Sequence, residues 1–118
     1  MTVLVIDDDP DILLIVQKAL ELDGMDVLTA TTALEGIRRA SDERPDGIVM
    51  DLTLPDLSGT TLLDRLQTGE ATRDIPVVVT GFGLEDDAYH APDESFRLVA
   101  LDQGAAAAGE LYQALSAL

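Results

Sequence analysis

Short apolar runs alternate along this chain with longer stretches in which apolar positions recur every three or four residues. The first run, Thr2-Val3-Leu4-Val5-Ile6, predicts a strand over about residues 2–6. Asp9 is a good N-cap and Pro10 suits a first helical position, so a helix should begin there. Ile12, Ile15, Val16, Ala19 and Leu20 follow the helical period and form its expected core face, and Gly24 is placed to end it. Met25 to Leu28 predict a short second strand, Ala33 to Asp42 a second helix closed by Pro45, and Gly47 to Met50 a third strand. Gly59 to Thr68 predict a third helix with Leu62, Leu63 and Leu66 facing the core. Ile75-Pro76-Val77-Val78-Val79-Thr80 predict a fourth strand, with its proline near the start, where it is tolerated.

The remaining third is patterned less clearly. Leu84 to His90 predict a weak fourth helix cut off by Pro92, and Phe96 to Leu101 a fifth strand. Ala108, Leu111, Leu115 and Leu118 form the stripe of a last helix starting near Gly104. With no internal repeat and no linker, residues 1–118 are expected to form one domain. Five strands alternating with five helices imply an α/β fold, a parallel sheet covered on both faces. The runs Val3–Ile6 and Val77–Val79 suit central strands buried on both sides. Ligands of such folds lie outside the carboxyl ends of the strands, where the strand order reverses.

That edge is where the acids fall. The first strand stops at Asp7-Asp8-Asp9 and the third at Asp51. If both strands are parallel, Asp7, Asp8 and Asp51 converge. Carboxylates packed together repel, so the cluster calls for a divalent cation or a shared proton. Mg2+ is a hard cation that prefers carboxylate, carbonyl, water and phosphate oxygens, and two or three carboxylates with a carbonyl and water would satisfy it. Asp9 is set apart as the helix cap. His90, the single histidine, sits in a polar stretch and reads as a surface residue.

Composition narrows the classes of function. The net charge of −16, from 23 acids against 7 bases, argues against direct binding of nucleic acid or an anionic membrane. Cysteine is absent, which removes disulfides and thiolate metal sites. No apolar stretch approaches the ~20 residues of a membrane span, and the strand-like start has no basic leader. A cytoplasmic location is the expectation.

The chain resembles the receiver domains of two-component response regulators along nearly its full length. The matching segments are Val3 to Pro10, then Ile48-Val49-Met50-Asp51-Leu52-Thr53-Leu54-Pro55 with Gly59, then Val77-Val78-Val79-Thr80. Their order and separations match as well. The resemblance implies a flavodoxin-like, doubly wound, five-stranded parallel sheet. It implies that Asp51 accepts a phosphoryl group from a histidine kinase or phosphotransfer protein, and that Asp7 and Asp8 hold Mg2+. It further implies that Thr53 gives a backbone carbonyl to the metal, and that Thr80 hydrogen-bonds the phosphoryl group and switches the loop after it. The predicted fourth helix, fifth strand and last helix would carry contacts to an effector domain, a partner protein or a second copy. Enzymatic activity is not expected beyond slow self-phosphorylation and self-dephosphorylation.

One departure stands out. Such domains normally carry a lysine just after the fifth strand, whereas Leu101-Asp102-Gln103-Gly104-Ala105 contains none. The only lysine, Lys18, lies ten residues past Asp8 in the first helix, roughly 15 Å along its axis. Arg97 is the one basic residue near the fifth strand, but a guanidinium is not a compact ammonium. The usual late-strand aromatic is also missing, with Phe82 a speculative stand-in. Two alternatives therefore stand beside phosphoacceptance: a protein-binding module that works without phosphorylation, and an α/β phosphatase of the haloacid-dehalogenase kind. The second would need an aspartate where Thr53 stands. A flavin carrier would need a phosphate loop after the first strand, which is absent.

Overall fold

A computed structural model describes residues 1–51, 54–80 and 98–100. Its elements in chain order are β1 (Thr2–Ile6), α1 (Pro10–Leu22), β2 (Asp26–Ala30), α2 (Ala33–Glu43), β3 (Gly47–Asp51), α3 (Gly59–Thr68), β4 (Val77–Thr80) and β5 (Leu98–Ala100). The strands form one sheet in the order β2-β1-β3-β4-β5. Neighbours among β2, β1, β3 and β4 are parallel. The expected α/β sheet is therefore present, and its order reverses between β1 and β3, where a ligand crevice opens.

The strand residues divide by parity. Leu4, Ile6, Ile48, Met50, Val77 and Val79 pack with Ala33 and Ala40 of α2 and Leu62 and Leu66 of α3. Val3, Val5, Val49 and Val78 pack with Leu13, Val16 and Leu20 of α1. Helices thus cover both faces, and the near-continuous apolar runs are explained by burial on both sides. Each fully buried Leu, Ile or Met contributes roughly 1.5–3 kcal/mol, so these two layers dominate stability.

Several boundaries and faces differ from expectation. The core face of α1 is Leu13, Val16 and Leu20, while Ile15 is 48% exposed. Residues 12–16 are all apolar, so periodicity fits two phases of the helix equally, and only the sheet chooses between them. The second strand is Asp26–Ala30 rather than Met25–Leu28, with Met25 buried ahead of it. The fourth begins at Val77, after the proline. The fifth, expected to be parallel over residues 96–101, is Leu98–Ala100 and runs antiparallel to β4. Apolar content does not encode strand direction, so the run Leu98–Ala100 fits either sense. An antiparallel edge strand on a parallel sheet is a common variant. The expected fourth and last helices lie outside the described residues.

The helix ends follow local chemistry. Asp9 accepts a hydrogen bond from Asp11 N at 2.9 Å, as its capping role requires. Gly24, at φ 86°, takes the left-handed position after α1. Ser58 caps α3 by accepting from Thr61 N at 3.2 Å. At its other end, buried Thr72 donates its hydroxyl proton to the Leu66 carbonyl at 2.7 Å.

Gly36 sets the approach of α2 to the sheet. A Cβ there would lie 2.5 Å from Ile6 Cδ1 and 2.9 Å from Ile6 Cγ1. Alanine would improve helix propensity by about 1 kcal/mol. Ile6 is wholly buried, however, and overpacking of this kind costs roughly 1–3 kcal/mol. Gly36→Ala is expected to lower stability by up to about 2 kcal/mol net, read as a reduced midpoint in urea unfolding. An unchanged or raised midpoint would mean that Ile6 can move aside.

Candidate functional site

The site grows out of strand ends. Asp7 is the first residue beyond β1, and Asp51 is the last of β3. Ile6 pairs with Met50 across the β1–β3 ladder, so the next residue on each strand stands at the same level of the sheet edge. The residues that precede them are fully buried and fix both strands in register.

Asp7, Asp8 and Asp51 each offer a carboxylate oxygen, all within 4.8 Å of one another. The expected convergence of these three residues is therefore present. Asp7 and Asp51 are buried, at 2% and 4% exposure, and Asp8 opens to solvent. The Asp7 carboxylate accepts a hydrogen bond from Asp9 N at 2.9 Å, which orients it. Its own amide donates to the Ala30 carbonyl at 3.0 Å, fastening the end of β1 to that of β2.

Burial pushes the Asp7 carboxyl up from 3.8 to about 6. The Asp9 amide opposes this, and the charges of Asp51, Asp8 and Asp9 add to it. A buried carboxyl raised in this way beside two further carboxylates marks a candidate functional site.

The donor set fits Mg2+. All three donors are hard oxygens, and Mg2+ takes six at about 2.1 Å, which puts opposite ligands roughly 4.2 Å apart. Three ligands on one octahedral ion include at most one opposite pair, and adjacent ones stand roughly 3.0 Å apart, so oxygens within 4.8 Å would have to draw together around the ion. The open side at Asp8 leaves room for water or a phosphoryl oxygen.

Thr80 ends β4 directly beside Asp51 in the β3–β4 register. Its backbone thus stands at the expected edge, while its hydroxyl lies outside what is described. Thr53, Phe82, His90, Arg97 and the segment 101–105 likewise lie outside the described residues. Lys18 is exposed on α1.

Sequence reasoning missed Asp56, in the loop leading to α3. Its two carboxylate oxygens accept from Ala33 N at 2.9 Å and Leu34 N at 3.0 Å, at the start of α2. These bonds hold its carboxyl below the ordinary carboxylate value, that to Leu34 contributing most. The partners are 22 and 23 residues away in sequence, so no local pattern could have paired them.

Among the described residues, no helix is long and apolar enough to cross a membrane. The family model of the response regulator receiver domain matches residues 3–97. The transcriptional regulatory protein KdpE of Mycobacterium tuberculosis is 39% identical over 103 residues, 87% of this chain and 41% of that protein. The regulator RpaA of Synechocystis is 43% identical over 92 residues, 77% of this chain and 38% of that protein. PrrA of Mycobacterium tuberculosis is 40% identical over 77 residues, 65% of this chain and 32% of that protein. The chain thus spans between about a third and two fifths of the length of these relatives. Among solved structures, the amino-terminal domain of a response regulator receiver protein from Methanoculleus marisnigri superposes with a TM-score of 0.62 at 36% identity, covering 64% of this chain and 62% of that one. The chemotaxis response regulator CheY4 of Vibrio cholerae gives 0.62 at 26% identity, over 64% and 63%. With its sheet order, its acidic edge and these matches, the chain belongs to the response regulator receiver domains, the phosphoacceptor modules of two-component signalling.

Proposed function

We propose that Asp51 accepts a phosphoryl group from the phosphohistidine of a kinase or phosphotransfer protein, with Mg2+ held by Asp7, Asp8, Asp51 and the Thr53 carbonyl. The observation that carries this is the convergence of three carboxylate oxygens within 4.8 Å at the edge where the strand order reverses. Asp51 acts as the nucleophile: a carboxylate oxygen attacks phosphorus in line with the departing imidazole nitrogen. The bound ion would neutralise charge on the transferring phosphoryl oxygens. Asp7 and Asp8 keep that ion beside Asp51 and, by their own charge, discourage phosphate from binding without it. Thr80, the ladder partner of Asp51, would give its hydroxyl to the phosphoryl group and report its arrival to the following loop.

Signalling then runs through protein contacts, with a partner, an effector domain or a second copy, and not through direct binding of nucleic acid. The −16 charge supports that restriction. The lack of any lysine except Lys18 means that the usual ammonium is not supplied by this chain, so dependence on Mg2+ should be steep. The same lack favours one alternative, a binding module that works without phosphorylation.

Intact mass spectrometry separates the two. Phosphoramidate with Mg2+ should add one phosphoryl group, and a chelator should prevent it. An unchanged mass with Mg2+ present would favour the binding module. No turnover of a generic phosphate ester is expected in either case.

A further inference from the structure

Two side-chain turns run in series from the end of β1 into α1. The Asp7 carboxylate accepts from Asp9 N at 2.9 Å, and the Asp9 carboxylate accepts from Asp11 N at 2.9 Å. Each link spans two residues, the short side-chain-to-backbone bond that aspartate favours in turns. Asp9 thus faces both ways. Its amide serves the carboxylate behind it, and its side chain caps the helix ahead. Its carbonyl also takes the first helical bond, from Leu13 N at 3.0 Å.

The conformation of Asp9 is fixed by α1. Its backbone is extended, at φ −91° and ψ 113°, and the proline that follows disfavours the helical alternative. The helix is in turn anchored to the sheet, because Leu13, Val16 and Leu20 pack with Val3 and Val5. The direction of the Asp9 amide therefore depends on where α1 begins. With Oδ1 of Asp7 held by that amide, the plane of the carboxylate is set and so is the place of its second oxygen. Asp7 is buried, which leaves little solvent to compete for this bond.

We propose that Asp9 is a positioning residue that couples the cation site to the first turn of α1. By capping the helix, its side chain holds the amide that orients Asp7. This rests on the Mg2+ binding proposed above, in which Asp9 is not a ligand. The coupling is reciprocal: whatever the cap adds to Mg2+ affinity, bound Mg2+ returns to the first turn of α1.

Two variants of equal charge isolate the cap. Asparagine caps a helix about as well as aspartate, and alanine does not. Asp9→Ala should therefore bind Mg2+ about three- to fivefold more weakly than Asp9→Asn in titration calorimetry, since the coupling cannot exceed the worth of an ordinary cap. Circular dichroism confirms the fold of each. In the parent, saturating Mg2+ should slow hydrogen exchange at the Asp11 and Leu13 amides by a similar factor, and the slowing should be lost in Asp9→Ala but kept in Asp9→Asn. If Asp9→Ala fails to fold, exchange in the parent decides. Equal Mg2+ affinity in the two variants, even with a lower melting temperature for Asp9→Ala, would make Asp9 a helix cap and nothing more, overturning the proposal. Unchanged exchange at Asp11 and Leu13 in a parent that does bind Mg2+ would overturn it too. A parent that binds no Mg2+ would bring down the underlying function as well.

Discussion

Asp51→Asn is expected to abolish phosphoryl transfer completely while leaving the fold intact. The amide has the shape of the carboxylate but no anionic oxygen to attack phosphorus. Asp51 is 4% exposed at the end of β3, so the isosteric change opens no cavity. It also removes one of the charges that raise the Asp7 carboxyl. That carboxyl should therefore titrate below about 6 in the variant but stay above 3.8, because burial, the larger cause, is unaltered. Two readouts follow: intact mass after phosphodonor treatment, and an NMR titration of the Asp7 carboxyl carbon. A residual adduct in Asp51→Asn would place the acceptor elsewhere.

Asp7→Asn should stabilise the metal-free protein while removing its response to Mg2+. The folded value of Asp7, about 6, lies above the ordinary 3.8. Between these values the folded state holds more protons than the unfolded chain, so stability contributed by this group falls as pH rises through the interval. The contribution is fully present below about pH 4 and lost above about pH 6, and the gap corresponds to roughly 3 kcal/mol. Asparagine keeps an oxygen for the Asp9 amide and carries no charge at any pH. Asp7→Asn should therefore gain about 2–3 kcal/mol over the parent at pH 8, and little at pH 4. Mg2+ acts in the opposite sense, since it binds the ionised form. Its effect on the parent's melting temperature should grow from pH 5 to pH 8 and vanish in Asp7→Asn. Urea unfolding at two pH values, with and without Mg2+, measures all of this. A parent more stable than the variant at pH 8 without metal would contradict it.

The opposed signs of these effects describe the cost built into the site. Asp7 and Asp51 are buried carboxylates at the ends of β1 and β3, whose other buried residues are apolar. On the proposed function, a cation bound between them would offset the cost of that burial.

What was legible in the sequence was local. The cap at Asp9, the proline at position 10 and the left-handed Gly24 each carry their own signal within a turn of the chain, and α1 begins and ends where they require. The third helix spans the expected Gly59–Thr68, where the leucines recur at helical spacing. Asp7, Asp8 and Asp51 could be brought together on paper because parallel strands put their carboxyl ends at one edge. What failed needed information from elsewhere in the fold. Five apolar residues in a row hide the phase of α1, so periodicity alone assigns Ile15 to the core although it is exposed. The direction of β5 is not written in Leu98-Val99-Ala100. Asp56 finds its partners more than twenty residues away, beyond any periodic pattern.

The central claim is that Asp51 itself carries the phosphoryl group, and chemical trapping tests it most directly. Borohydride reduces an acyl phosphate to the alcohol, which turns a phosphorylated aspartate into homoserine. After phosphoramidate and Mg2+, peptide sequencing should find homoserine at position 51 and aspartate unchanged at positions 7 and 8. Homoserine at either of those positions, or at none of the three, would contradict the account.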